Sequence, residues 1–135
     1  MSYATLQDLI DRFKESEIIQ LTDEAGAGVV DPAPVVLALA DADAEINAAL
    51  VGRYSLPLGT VPDLLVRIAS DLARESLYAD RPTETVAERA KTARALLLQI
   101  AAGKMRLDVA AAAAEESLQG LVEMVSGRRK SPFVG

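Results

Sequence analysis

Apolar residues recur at helical spacing in four stretches of the chain, and polar capping residues mark where these stretches begin. The first stretch follows Thr5, whose hydroxyl can cap a helix while Asp8 completes a capping box. Its apolar positions are Leu6, Leu9, Ile10 and Phe13. This pattern predicts a first helix that ends near Lys14, followed by a short helical turn over residues 17–21.

The second stretch begins at Asp31, with Pro32 at the first helical position, and continues towards Gly52. Its predicted buried stripe consists of Val35, Leu39, Ala42, Ile46, Ala49 and Leu50. The residues predicted to face away from that stripe are Asp41, Ala44, Glu45 and Ala48. We therefore expect a long second helix that buries one side.

The third stretch is predicted to start with Thr60 as its cap, Pro62 in the first turn and Asp63 completing a capping box. Apolar residues cover most of its circumference, so this helix should be the central and most buried one. Its remaining face consists of Arg67, Asp71, Arg74 and Tyr78. Their spacing predicts that the charges pair along the helix.

The fourth stretch is predicted to start at Thr85, with Glu88 completing the capping box. Its apolar stripe is Val86, Ala90, Ala93, Leu97 and Ile100. Gly103 is typical of a residue that ends a helix, because glycine adopts the left-handed backbone conformation without strain. The pattern thus predicts a fourth helix that ends at Gly103.

The composition agrees with an all-α fold. Alanine and leucine, the best helix formers, dominate the apolar half of the 135 residues, and only five residues are aromatic. We expect a compact bundle of four main helices in residues 1–107 and an extended or partly helical C-terminal arm in residues 108–135. The alanine run at residues 110–114 favours a helix but buries little apolar area, so both conformations stay open for residues 108–126.

The chain contains neither cysteine nor histidine. This excludes disulfides, catalytic triads that use histidine, and metal sites built from thiolates or imidazoles. We therefore assign no catalytic residue, no cofactor and no metal ligand, and we do not expect an enzyme. Acidic residues interrupt the apolar stretches and the first residues do not look like a signal peptide, which predicts a soluble cytosolic protein without a membrane partner.

Two acidic patterns could suggest a metal site. The loop after Asp23 has the outline of a calcium loop with Gly28 at its sixth place, but alanines occupy places three and five and Pro34 occupies place twelve. A glycine turn that leads into the next helix is the preferred interpretation. Asp41, Asp43 and Glu45 do not converge on a helix, so we interpret them as a solvated face.

The charge is distributed unevenly. Residues 1–61 contain three basic and ten acidic residues, whereas residues 62–107 contain eight basic and six acidic residues. Such an asymmetry suits a head-to-tail oligomer, in which one surface meets a different one. Our candidates for the subunit interface are Asp41 and Glu45 of one subunit with Arg89 and Arg94 of the next.

The C-terminal residues 127–135 contain three adjacent cations and one phenylalanine. Arg128, Arg129 and Lys130 can attract an acidic surface, and Phe133 can anchor in an apolar pocket. We predict a docking arm whose partner-binding residues are these four. Weak contact with nucleic acid or a mere solubilising role are the alternatives.

Several strings of the sequence resemble the Mu-like prophage family of small head-tail connector proteins. They are MSYATLQDLIDRF, IIQLTDEAGAGVVD, ALADADAEINAAL followed by GRY and LPL, VPDLLVRIASDLARESLY and IAAGK. These strings cover the chain from Met1 to about Lys104, about three quarters of it. The resemblance is weaker over residues 108–126.

The resemblance implies a structural virion protein of a tailed phage or prophage, present in the host cytoplasm during assembly. Such an adaptor binds beneath the portal protein as a homo-oligomeric ring, commonly dodecameric, and offers a surface to stopper or tail proteins at the head-tail interface. Its C-terminal arm reaches the portal or a neighbouring subunit. Lumen contact with packaged DNA is compatible with this role, without specific nucleic-acid binding.

Two other classes stay open at this stage. A small helical regulatory or nucleic-acid-binding module would need a basic recognition helix, and the third helix offers Arg67 and Arg74. Its acidic residues nearly cancel that charge. A carboxylate-based enzyme or metal protein would need acidic residues that converge only on folding.

Overall fold

The computed structural model describes residues 2–107, and these residues form a bundle of five helices. The helices are α1 (Leu6–Phe13), α2 (Glu15–Thr22), α3 (Pro32–Leu50), α4 (Asp63–Tyr78) and α5 (Glu84–Ala101). No strand occurs within residues 2–107. The prediction of an all-α bundle is confirmed, and the predicted arm at residues 108–135 lies outside the described residues.

Helix α1 is bounded as its sequence predicts. The Thr5 side chain accepts a hydrogen bond from the backbone N–H of Asp8, and the Asp8 carboxylate accepts one from the backbone N–H of Thr5. This reciprocal pair satisfies two N–H groups that the first turn leaves free. Lys14 ends the helix at positive φ and also begins α2, which is a full two-turn helix rather than the short turn predicted over residues 17–21.

Two predicted helix starts are wrong by a few residues. Thr60 does not cap α4, because the residue before the helix is Pro62, which has no side chain that can accept a hydrogen bond. Thr85 lies inside α5, and the cap is Thr83, whose hydroxyl accepts a hydrogen bond from the backbone N–H of Val86. Thr83 has the extended backbone that an N-cap requires.

Helix α4 is the centre of the bundle and packs against all four other helices. Seven residues of α4 are buried, and the last six of them are consecutive: Leu65, Ile68, Ala69, Ser70, Asp71, Leu72 and Ala73. Helices α3 and α5 cover α4 on two sides and also touch each other, while α1 and α2 close the bundle. The prediction that the third long helix is the central one is confirmed.

Helices α3 and α5 bury one side each. On α5 the buried residues are the predicted ones, Val86, Ala90, Ala93, Leu97 and Ile100. On α3 the buried residues are Val35, Ala38, Leu39, Ala42, Ile46 and Leu50, so Ala38 takes the place that the prediction gave to Ala49. Alanines on the buried sides let the helices approach closely.

Helices α3 and α5 run in the same direction. Arg94 of α5 donates hydrogen bonds to Glu45 of α3. Further along both helices, Arg53, just after α3, donates a hydrogen bond of 2.8 Å to the carbonyl oxygen of Ala101 at the end of α5. The two helices therefore lie side by side as a parallel pair.

Candidate interaction surface

The solvent-facing side of α3 is apolar. It consists of Ala33, Leu37, Ala40, Ala44, Ala48 and Val51, all exposed, and we call this set the outer strip of α3. Leu37 and Val51 are 65% and 68% exposed, and the adjacent Val36 is 65% exposed. Because water normally faces polar side chains on a surface helix, this strip is a surface that the described bundle leaves without a partner.

The polar residues of α3 lie along the two edges of its outer strip. Asp43 and Asn47 lie on one edge, where Tyr3 holds both. The backbone N–H of Tyr3 donates to Asp43 at 2.9 Å, and the Tyr3 hydroxyl donates to Asn47. Asp41 and Glu45 lie on the other edge, towards α5.

The edge towards α5 contains a network of ion pairs. Arg94 donates two hydrogen bonds to the Glu45 carboxylate, at 3.0 and 3.1 Å, and its third nitrogen lies 2.9 Å from the Glu75 carboxylate of α4. Arg94 and Glu45 are both more than two-fifths exposed, so water weakens their attraction and the pair adds about 1 kcal/mol at most. The network therefore links α5 to α3 and α4 but adds little to the free energy of unfolding.

Arg89 and Asp71 form a second ion pair, between α5 and α4. Arg89 Nε lies 3.2 Å from Asp71 Oδ1, and the Asp71 side chain is 4% exposed. Burial raises the pKa of the Asp71 carboxyl, and the positive charges of Arg89, Arg67 and Arg74 oppose that shift.

The candidate interface residues are thus placed within one chain. Glu45 binds Arg94, Arg89 binds Asp71, and Asp41 forms no ion pair with any residue in the range 2–107. Arg89 and Arg94, which were predicted to meet acids of a neighbouring subunit, are thus paired within their own chain. The assignment of these four residues to a subunit interface stays a prediction.

The middle of the charged face of α4, at Asp71 and Arg74, is covered by other helices, and the expected pairing along α4 is wrong for these two charges. Asp71 pairs with α5, and Arg74 forms two hydrogen bonds with Glu17 of α2, at 2.7 and 2.9 Å. The Arg74 guanidinium also lies 4.2 Å from the centre of the Phe13 ring. These two side chains therefore connect α4 to α2 and α5. The spacing of residues within α4 could not predict this, because their ionic partners lie on other helices.

The loop after Asp23 is a glycine turn held by that carboxylate. One Asp23 oxygen accepts a hydrogen bond of 2.9 Å from the backbone N–H of Ala27, and the other accepts one of 2.7 Å from Gly28. Gly26 and Gly28 have φ of 73° and 78°, a conformation that favours glycine. Within residues 2–107 no three acidic side chains lie together so that they could hold a metal ion.

We expect calcium to leave this loop unchanged. Both Asp23 oxygens already accept backbone N–H groups, and the alanines at neighbouring positions supply no further side-chain ligand. Titration calorimetry of the full chain with calcium chloride should therefore detect no site tighter than about 1 mM, the weak end for such loops. A tighter site that disappears in Asp23→Ala would contradict this interpretation.

The predicted partner-binding residues Arg128, Arg129, Lys130 and Phe133 lie outside the described residues. Within residues 2–107 no helix has both the length and the apolar character needed to cross a membrane.

Known proteins are similar to this chain over most of its length. A family model described as "Bacteriophage Mu, Gp36" matches residues 3–126. The chain belongs to the bacteriophage Mu Gp36 family. Gene product J of Escherichia phage Mu is 37% identical over 105 residues, which cover 77% of this chain and 74% of that protein. The Mu-like prophage FluMu protein gp36 of Haemophilus influenzae is 34% identical over 105 residues, covering 78% of this chain and 74% of the relative.

The Gp36 match confirms the Mu-like resemblance and extends it. The motifs ended at about Lys104, whereas the family match continues to residue 126 and so includes residues 108–126. The outer strip of α3 lies wholly inside the matched part. This member of the Gp36 family therefore presents an exposed apolar surface within the part of the chain that the family model matches.

Proposed function

We propose that this chain is a structural virion protein, a head-tail connector that binds beneath the portal as a ring and offers an attachment surface to stopper or tail proteins. Membership in a phage Mu family supports a role in the phage particle. The observation that carries the proposal is the outer strip of α3, because a helix with an exposed apolar side is typical of a protein that works in an assembly.

The same proposal gives the chain no catalytic activity and places it at the head-tail interface. The ring is a homo-oligomer, with twelve copies as the expected number. The arm binds the portal or a neighbouring subunit through Arg128, Arg129, Lys130 and Phe133. The acidic first half and the more basic second half support contacts between unlike surfaces. During assembly the protein is in the host cytoplasm.

The geometry of α4 favours this role over a nucleic-acid-binding module. A recognition helix needs exposed cations, but α4 is the central buried helix and its Arg74 is held by Glu17. Arg67 is the other basic residue of α4, and a single exposed arginine contributes little to binding a phosphate backbone.

The test is assembly with the portal protein of the same phage. We expect native mass spectrometry and negative-stain imaging of the full-length chain, mixed with assembled portal, to show one ring of this chain coaxial with the portal. A fluorescent 30-base-pair duplex at physiological salt is the parallel measurement. Duplex binding without portal binding would overturn the connector proposal in favour of the regulatory module.

A further inference from the structure

The charged residues of α3 and α5 indicate which surface can bind the outer strip of α3. Helix α3 has three acidic residues, Asp41, Asp43 and Glu45, and no basic one. Helix α5 begins with the exposed acids Glu84 and Glu88, whereas from Lys91 to Leu107 every charged residue is basic: Lys91, Arg94, Lys104 and Arg106. Arg94 is paired within its own chain, so Lys91 is the cation on the outward side of α5 that can meet an acid of α3.

The outward side of α5 is also partly apolar. Lys91, Ala95, Leu98 and Ala102 lie on it, all exposed, and we call them the outer strip of α5. Leu98 is 71% exposed, the largest value among the exposed large apolar residues of the described chain. Small alanines on both strips allow two helices to approach to about 8–10 Å between their axes, with Leu98 as the side chain that fills the space between them.

The two strips cannot meet within one chain, because α3 and α5 sit side by side on α4 and turn their outer strips away from it. They can meet between copies. Since α3 and α5 run in the same direction, rotation about an axis along the helices brings the α5 strip of one copy alongside the α3 strip of the next. Repeated heterologous contacts of this kind close a ring when the rotation divides a full turn evenly.

We propose that the outer strip of α3 binds the outer strip of α5 of a second copy of this chain, so that the contact between subunits is heterologous. The proposal rests on the connector function above and specifies which surfaces form its ring. Leu98 packs between Ala44 and Ala48 of the neighbouring α3, and Lys91 reaches its Asp41. Helix α3 is about 28 Å long at 1.5 Å per residue, so the contact extends along several helical turns.

The test uses one variant of each strip. Ala44→Arg places a long charged side chain in the centre of the α3 strip, and Leu98→Arg does the same on α5. Both residues are exposed and arginine is a good helix former, so circular dichroism should show unchanged helix content. The matched control is Gln20→Arg, an exposed position on α2 away from both strips.

We expect native mass spectrometry, alone and with portal, to show rings for the wild type and the control, and single chains for each strip variant. An equimolar mixture of the two variants is the decisive sample. Ala44→Arg retains an intact α5 strip and Leu98→Arg an intact α3 strip, so one junction can form and the mixture should give a dimer of one chain of each kind that grows no further.

Three other results would each overturn one of the two proposals. Rings that persist in either strip variant overturn the α3–α5 contact and leave the connector proposal standing. Single chains in the mixture also overturn the contact, since the two intact strips then do not bind each other. A wild-type chain that forms no ring, alone or with portal, overturns the connector proposal itself.

Discussion

Replacing Leu72 by alanine is expected to lower the free energy of unfolding by about 3 kcal/mol, the usual cost of deleting a buried leucine side chain. Leu72 is 1% exposed and lies on α4, the helix against which the four other helices pack. A cavity there removes contacts from the centre of the bundle, which cannot collapse without moving several helices. Urea denaturation followed by circular dichroism at low protein concentration measures the loss.

The matched control for this prediction is Val29→Ala. Val29 is 61% exposed and lies in the loop before α3, so its truncation should change the free energy of unfolding by less than about 0.5 kcal/mol. Equal losses in the two variants would show that α4 is not the centre of the core. A small loss in Leu72→Ala alone would show the same.

Replacing Arg74 by alanine should also cost about 3 kcal/mol, the range for breaking a mostly buried ion pair. Arg74 is 14% exposed and Glu17 22% exposed, so the Glu17 carboxylate would be left with little water and without its two hydrogen bonds. The hydrogen bonds to Glu17 also raise the pKa of Arg74, which agrees with a guanidinium held in its charged form. The stacking of Arg74 on Phe13 would be lost as well.

Three further variants make the Arg74 prediction specific. Arg67→Ala removes an exposed arginine of the same helix and should cost less than about 0.5 kcal/mol. Arg74→Lys keeps the charge but not the paired hydrogen bonds, so it should be intermediate. A double-mutant cycle with Glu17→Gln should give a coupling energy of about 1–3 kcal/mol. Additive losses in that cycle would contradict the proposed pair.

Much of the local structure followed from the sequence because it depends on neighbours along the chain. The capping box of α1, the proline at the start of α3 and all five buried positions of α5 were predicted correctly. The starts of α4 and α5 were not. Thr83 and Thr85 are both candidate N-caps of α5. Thr83 is the cap because its backbone is extended, and that conformation depends on the turn that connects α4 to α5.

The candidate site was only partly predictable. The sequence indicated Asp41 and Glu45 as outward-facing, and they do lie on the exposed part of α3. It also placed Ala44 and Ala48 on that side, but it did not indicate that Leu37 and Val51 extend them into an apolar strip. One signal for the strip was available in the sequence. The polar residues of α3 are confined to residues 41, 43, 45 and 47, so the helix has too few polar residues to cover its whole solvent-facing side.

By itself the sequence determined the helical class, the order of the helices, the uneven charge and membership in the Mu Gp36 family. These properties come from propensities, periodicity and motifs, which act over a few residues. The tertiary structure alone decided which ionic partners meet, such as Glu17 with Arg74, 57 residues apart. It also decided that Leu37 and Val51 stay exposed beside the alanines of α3, because the packing of α4 and α5 covers only the opposite side of that helix.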